Sequence, residues 1–387
     1  MYILPEYVRN IINTLENNCH EAYIVGGSVR DLLLGKTPND YDITTSCLPQ
    51  DISALFEKTI ETGIKHGTVT VVSNGNNVEV TTYRQDGEYL NHRSPKEVNF
   101  VSNLSEDLSR RDFTINAMAY NEKAGIIDLF GGKDDLSNKT IRTVGDADCR
   151  FKEDALRILR AIRFAARLDF NIDENTLNGI SNNAHLLKDI SAERIFSELI
   201  QTLTTDNPQY ISIICKSGGL KHLGIERIDN PELLQQLNNR KNLRFYAFCK
   251  LCGVSCEKLC KALKTDNSLK KYCQNLDYAA GISSKPNKIE LKQILRKLNT
   301  EEVNDYLNFV EIFFNTDTTQ CKISLNEIFE NNEAYLIKHL AVDGKYLLEL
   351  GYRENAVGEV LEKLLNEVIN DNNLNNKDSL TELIKKM

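Results

Sequence analysis

One stretch narrows what this chain can become. The apolar run Ala22-Tyr23-Ile24-Val25 breaks directly into Gly26-Gly27-Ser28-Val29-Arg30-Asp31, and Asp40-Tyr41-Asp42 follows shortly after. A short buried strand must therefore end in a glycine turn that opens a helix. Glycine lets backbone N–H groups approach a phosphate, and a helix N-terminus favours its negative charge. Asp40 and Asp42, two apart on a strand-like run, point to the same face. Magnesium takes hard oxygen ligands of this kind and pairs one or two carboxylates with substrate phosphates. Asp40 and Asp42 are thus the candidate metal ligands. An isolated Asp-x-Asp after Pro38-Asn39 is more often a solvated turn, but the glycine turn just before it reverses that preference.

The remaining pattern divides the chain by texture. Pro5 to Asn18 carries apolar residues at helical spacing, Tyr41 to Thr45 has strand propensity, and Leu48 to Lys58 reads as a helix. Thr68–Ser73 and Asn77–Arg84, joined by Asn74-Gly75-Asn76, form a hairpin signal. In its second arm Val78 and Val80 face one way and Glu79 the other. That makes Glu79 a third candidate carboxylate, with an exposed edge charge as the equal alternative. From about Phe151 long helical patterns replace the strands, beginning with an Ala-, Leu- and Arg-rich helix over Glu153–Leu168. Helices follow over Ala192–Leu203, Leu233–Leu237, Lys241–Leu263, Lys288–Leu298 and Glu301–Phe314, with a last helical unit from Ala341. The expected architecture is a mixed α/β head on a long all-α remainder.

Bulk properties exclude several classes. A chain that is 41% hydrophobic and 26% charged is ordinary for a soluble globular protein. No run has the length of a membrane span. Met1-Tyr2-Ile3-Leu4-Pro5-Glu6 lacks the basic start and apolar core of a secretory signal, so a cytoplasmic protein is expected. Ten cysteines in that compartment read as thiols, not a disulfide frame. Cys249, Cys252, Cys256 and Cys260 lie at the spacing of one face of a single helix. Along about 16 Å of helix they cannot all reach one ion, and they read as packing residues. The net charge of −8 does not advertise nucleic-acid binding. It hides a local concentration of Arg157, Arg160, Arg163 and Arg167, with Arg150 and Lys152 upstream. This group is either a basic patch or a solvated helix face.

Several of these segments, taken in order, resemble the class II tRNA nucleotidyltransferases of the DNA polymerase beta superfamily. The likeness is carried by Tyr23-Ile24-Val25-Gly26-Gly27-Ser28-Val29-Arg30-Asp31, by Asp40-x-Asp42, and by Arg110-Arg111-Asp112-Phe113-Thr114-Ile115-Asn116-Ala117-Met118. It continues through Glu153-Asp154-Ala155-Leu156-Arg157-Ile158-Leu159-Arg160-Ala161-Ile162-Arg163-Phe164 and Ala192-Glu193-Arg194-Ile195 to Val342-Asp343-Gly344-Lys345. It covers nearly the whole chain. The resemblance implies a nucleotidyltransferase head over 1–140, a neck over 141–206, a body over 207–324 and a tRNA-binding tail over 325–387. It further implies template-independent CCA addition to tRNA from CTP and ATP, with Asp40 and Asp42 holding two magnesium ions and Glu79 joining the catalytic carboxylates. Gly27, Ser28 and Arg30 would meet the triphosphate, Arg111 would add charge near the nucleotide, and Arg160 and Arg163 would contribute to the nucleotide pocket. No protein partner is implied.

Within that resemblance Asp154 and Arg157 carry the base choice. As i, i+3 residues on one helix they would be neighbours. Aspartate offers only acceptors and arginine only donors. Cytosine and adenine both present an exocyclic amino donor beside a bare ring nitrogen, whereas uracil and guanine present the reverse. One Asp/Arg pair can therefore accept C and A and reject U and G. Read without the resemblance, the same pair is an ordinary helix ion pair. Relatives that add only the two cytidines shorten the loop corresponding to Gln85–Asn99, but this chain keeps Asp86-Gly87-Glu88-Tyr89 and Arg93-x-Pro95. Addition of terminal A alone, poly(A) polymerase activity and a catalytically silent tRNA-binding protein are the alternatives. Against poly(A) polymerase, Gly63-Ile64-Lys65-His66-Gly67-Thr68 stands where those enzymes carry a more basic segment.

Overall fold

The computed structural model describes all residues except 1, 88, 91–93, 96–97 and 387. The readings attached to Glu88 and Arg93 lie outside the described residues. The chain forms two compact units, residues 1–231 and 232–387.

The first unit begins with helix α1 (Glu6–Asn17), strand β1 (Ala22–Val25), helix α2 (Gly27–Leu33), strand β2 (Asp42–Thr45) and helix α3 (Pro49–Leu55). Strands β3 (Thr59–Gly63), β4 (Thr68–Ser73) and β5 (Asn76–Thr82) follow, then the short strands β6 (Arg84–Asp86), β7 (Tyr89–Leu90), β8 (Ser94–Pro95) and β9 (Val98–Phe100). Helix α4 (Leu104–Ser109), strands β10 (Met118–Asn121) and β11 (Gly125–Asp128), helix α5 (Gly132–Ser137) and strand β12 (Thr140–Ile141) complete the sheet-bearing part. The rest of the unit is α6 (Ala147–Glu153), α7 (Leu156–Leu168), the two-residue β13 (Asn171–Ile172), α8 (Glu174–Asn183), α9 (Ala192–Leu203) and α10 (Ser212–Lys216).

A seven-stranded mixed sheet runs β11-β10-β1-β2-β5-β4-β3. Its one parallel pairing, β2 with β5, sits at the centre and aligns Asp42 with Glu79, while β1 runs antiparallel to β2 with Val25 opposite Asp42. Val8, Ile11, Ile12 and Leu15 of α1 pack with Ile24, Ile43, Val69, Val71, Val78 and Val80 from the strands to make the core of this sheet. Alternation along β5 puts those valines inward and leaves Glu79 exposed. The hairpin expected at Asn74-Gly75 is present, with both residues at positive φ. The helix expected over Leu48–Lys58 stops at Leu55. The β-branched run beginning at Thr59 is instead edge strand β3, paired with β4.

The second unit is helical: α11 (Leu233–Gln236), α12 (Lys241–Leu251), α13 (Cys256–Ala262), α14 (Asn267–Ile282), α15 (Lys288–Leu295), α16 (Thr300–Phe313), α17 (Thr319–Glu330), α18 (Gly344–Glu349), α19 (Glu354–Asn370) and α20 (Lys377–Lys386). The single helix expected over Lys241–Leu263 is two. Gly253 at φ +66° turns the chain, and the Ser255 hydroxyl caps α13 by accepting from the Lys258 N–H. The four cysteines are therefore not one face of one helix. Cys249 on α12, Cys256 and Cys260 on α13 and Cys273 on α14 are all buried, and Cys256 is hydrogen-bonded to both Cys249 and Cys273.

Candidate active site

The turn after β1 is built as the glycines demand. Gly26 sits at φ +76°, a conformation that L side chains rarely adopt. A Cβ there would lie 3.2 Å from Nη1 of Arg111. The turn thus presents bare backbone to an arginine and opens directly into α2. Ser28 is buried, and its hydroxyl donates to the Val25 carbonyl at 3.1 Å. That bond leaves the hydroxyl only its acceptor capacity, so contact with a phosphate at this turn falls to backbone N–H groups. Arg30, also buried, does not stand free. Its Nε and Nη2 donate to Asp31 Oδ1 at 2.9 and 2.8 Å, and its Nη1 donates to Asn116 Oδ1 at 2.7 Å. Its guanidinium walls Gly27, whose Cβ would come within 3.5 Å of Nη2.

Asp42 opens β2 next to this turn. Its carboxyl is pushed up to about 6, first by the protein packed around it and then by the charges of Asp40 and Glu79, with Arg111 pulling the other way. Three carboxylates thus share one field at the head of the parallel strand pair. Clustering like charges is costly without a cation, and oxygen donors are what a hard divalent ion takes, so Asp40 and Asp42 fit a magnesium site. Glu79 stands in register beside them. Even so, among the described residues no group of three or more His, Cys, Asp or Glu side chains is arranged to hold a metal ion.

Arg111 lies beside the Gly26 turn. Its Nη2 donates to Asp107 Oδ2 at 3.4 Å, while its Nε is buried with no hydrogen-bond partner. Its Nη1 is the guanidinium atom nearest the Gly26 turn, and a guanidinium beside bare backbone suits an anionic ligand. Asp107 is fully buried. Burial alone would raise its carboxyl, yet Arg111 and Arg110 hold it below the usual range.

The same turn is tied to the arginine-rich helix α7. Asn116, which receives Arg30, donates to Asp112 Oδ1 at 3.2 Å, and Asp112 Oδ2 accepts from Arg160 Nε and Nη2 at 2.8 and 2.6 Å. The Phe164 ring lies among three guanidinium groups, with Arg30 at 5.4 Å, Arg160 at 5.5 Å and Arg163 at 4.4 Å from its centroid. Arg163 Nε donates to Glu198 of α9 at 2.6 Å, both residues being buried. Arg157 donates to Glu153 at 2.5 Å and to the carbonyls of Arg150 and Arg110. Arg150 meets Glu153 as well. These arginines do not make a bare basic patch, because Arg150, Arg157, Arg160 and Arg163 each meet a carboxylate. Helix α7 buries most of its length, and a buried guanidinium requires a counter-charge.

The helix expected over Glu153–Leu168 is interrupted at Asp154, whose backbone is extended (φ −135°, ψ 103°). Its Oδ1 accepts from the Leu156 N–H at 3.0 Å, reaching the first residue of α7 from one position ahead of the N-cap Ala155. Its Oδ2 accepts from Arg194 Nη2 at 3.0 Å. Asp154 and Arg157 are therefore not i, i+3 neighbours within one helix. Asp154 stands just ahead of α7, with Arg157 in its first turn. Asp107, Asp112, Asn116, Glu153, Arg194 and Glu198 were given no role from sequence. Asp112 and Asn116 lie in the Arg110–Met118 segment, Glu153 in Glu153–Phe164 and Arg194 in Ala192–Ile195, whereas Asp107 and Glu198 carry no local signal.

The chain is similar to known proteins over most of its length. Residues 22–142 match the Poly A polymerase head domain family, and residues 169–227 match the family described as the probable RNA and SrmB-binding site of polymerase A. The CCA-adding enzyme of Lactobacillus helveticus is 36% identical over 392 residues, covering 97% of this chain and 95% of that enzyme. The CCA-adding enzyme of Ligilactobacillus salivarius is 37% identical over 396 residues with the same coverage. Among solved structures, the Bacillus stearothermophilus CCA-adding enzyme in complex with CTP superposes with a TM-score of 0.83 at 31% identity, covering 99% of this chain and 98% of that one. With near-complete coverage by such relatives, the chain belongs to the CCA-adding enzymes, tRNA nucleotidyltransferases with a poly(A) polymerase-type head.

Proposed function

We propose that this protein adds C, C and A in turn to the 3′ end of tRNA, using CTP and ATP without a nucleic-acid template. The observation that carries the reading is the junction of the β1 turn with the carboxylates of β2 and the Arg111 guanidinium, whose Nη1 lies at Gly26. One place there suits a triphosphate and the cation that accompanies it. Magnesium held by Asp40 and Asp42, as two ions, would supply Lewis-acid stabilisation of charge on the transferring phosphoryl group. Backbone N–H groups at Gly27 and Ser28, with Arg111, bind and orient the triphosphate, and Arg30 braces the turn. The tRNA 3′-hydroxyl attacks the α-phosphorus, and pyrophosphate leaves.

Asp154 and Arg157 remain the residues we assign to base choice. The Asp154 carboxylate offers about four lone-pair sites, and its recorded partners are the Leu156 N–H and Arg194. It retains acceptor capacity for an exocyclic amino group, which C and A share. Arg160 and Arg163 hold α7 against the phosphate turn and against α9. We read residues 1–140 as head, 141–206 as neck, 207–324 as body and 325–387 as a tail that holds tRNA by shape and phosphate contacts. The work is done in the cytoplasm; no helix of the described residues is long and apolar enough to cross a membrane.

Three RNAs test the function: tRNA ending at the discriminator base, tRNA ending in CC, and a generic RNA. Sequenced products should show CCA on the first, A on the second and nothing on the third. Extension of the CC-ended tRNA alone would reduce the activity to A addition, and tailing of the generic RNA would make it a poly(A) polymerase.

A further inference from the structure

We propose that Asp107 is a positioning residue for nucleotidyl transfer, coupling the phosphate-binding arginine to the strand that carries Asp42. This rests on the phosphate reading of the β1 turn given above. Asp107 lies on α4, three residues before Arg110, and is fully buried. Its Oδ2 accepts from the Thr44 hydroxyl at 3.1 Å and from Arg111 Nη2 at 3.4 Å. Its Oδ1 accepts from Arg110 Nη2 at 2.7 Å and Nε at 3.1 Å, and from the Arg84 N–H at 3.4 Å. Arg110 Nε also meets the Arg84 carbonyl at 3.1 Å.

Each contact fixes a different part of the site. Thr44 is buried on β2, two residues after Asp42 and therefore on the same face of the strand. Arg111 is gripped at Nη2, which leaves Nη1 at the Gly26 turn and Nε unpartnered. Arg84 opens β6, beyond the strand that carries Glu79. One carboxylate thus sets the separation between the triphosphate's arginine and the carboxylate end of β2. Buried groups held by several hydrogen bonds keep geometry to the tolerance that transfer chemistry needs.

The test uses the full-length protein, with inorganic tripolyphosphate as a probe that has no base. Asp107→Asn removes the charge that holds Arg111 and keeps an acceptor for Thr44. It should weaken tripolyphosphate binding about tenfold, a loss of about 1.4 kcal/mol, and raise KM for CTP and ATP alike. Discrimination against UTP and GTP should be kept. Thr44→Val cuts only the link to β2. It should lower kcat several-fold with tripolyphosphate affinity unchanged. Arg111→Ala serves as the reference. If it loses tripolyphosphate while Asp107→Asn binds like the parent protein, Asp107 is merely structural and the inference is overturned. If Arg111→Ala binds like the parent, the phosphate reading itself falls, and Asp107's role with it. Should Asp107→Asn fail to fold, Thr44→Val decides, and an unchanged kcat overturns the coupling.

Discussion

The head of β2 and the length of α7 handle charge in opposite ways. At β2, Asp40, Asp42 and Glu79 gather in one field with Arg111 as the opposing charge that reaches Asp42, and the Asp42 carboxyl rises to about 6. Along α7, Arg157, Arg160 and Arg163 each meet a carboxylate, Glu153, Asp112 and Glu198 in turn. Charge left uncompensated is a place for a ligand to complete the balance. Charge already compensated is framework that fixes where other groups stand. On this contrast we read phosphoryl transfer at β2 and, base choice at Arg157 apart, alignment along α7.

The contrast can be broken most decisively at Asp42. Asp42→Ala should abolish nucleotide addition, by several kcal/mol of lost transition-state stabilisation, with no loss of thermal stability because a repelling charge is removed. Substantial incorporation of labelled CTP by the folded variant would remove the metal assignment. On α7 the largest effect should fall on folding instead. Glu198→Ala strands the buried Arg163 guanidinium and should cost about 3–5 kcal/mol in denaturant unfolding. A cost below about 1 kcal/mol would show the pair to be dispensable. Arg157→Ala should leave addition of C and A measurable while relaxing rejection of UTP and GTP by about 10- to 100-fold, the worth of a charged hydrogen bond of about 1.5–3 kcal/mol. Unchanged misincorporation would end the protein-template argument. The smallest change belongs to Glu79→Gln. If Glu79 acts through the shared field alone, it contributes about 1 kcal/mol, and kcat should fall only several-fold; a collapse to the Asp42→Ala level would make it a ligand.

What the sequence disclosed follows from how local each signal was. The Gly26 turn, the Asn74-Gly75 hairpin and the valine alternation of β5 depend on neighbours in the chain, and the structure has them as expected. The pairing of Glu79 with Asp42 needed the parallel register of two strands joined by α3, β3 and β4, and no spacing rule supplies it. The breaks at Asp154 and Gly253 were missed for a common reason. Apolar periodicity continues across both, and one extended residue at Asp154 or one positive φ at Gly253 ends the helix without disturbing the pattern. The counter-ions of α7 were invisible because Asp112 and Glu198 lie some 50 and 35 positions from their arginines. Four cations at helical spacing read as a patch until the acids that face them are placed.

The ring of Phe164, set among three guanidinium groups, restricts how this helix can vary. Exchanging its arginines for lysine would preserve every charge. It would also lose the flat face that lies against the ring and the two-pronged grip that Arg160 has on Asp112. Arg167, the exposed residue of α7, can drift among helix formers at little cost. At Arg160 and Arg163 formal charge is no guide to acceptable change, and a library selecting only for basic residues there should return arginine and leave lysine behind.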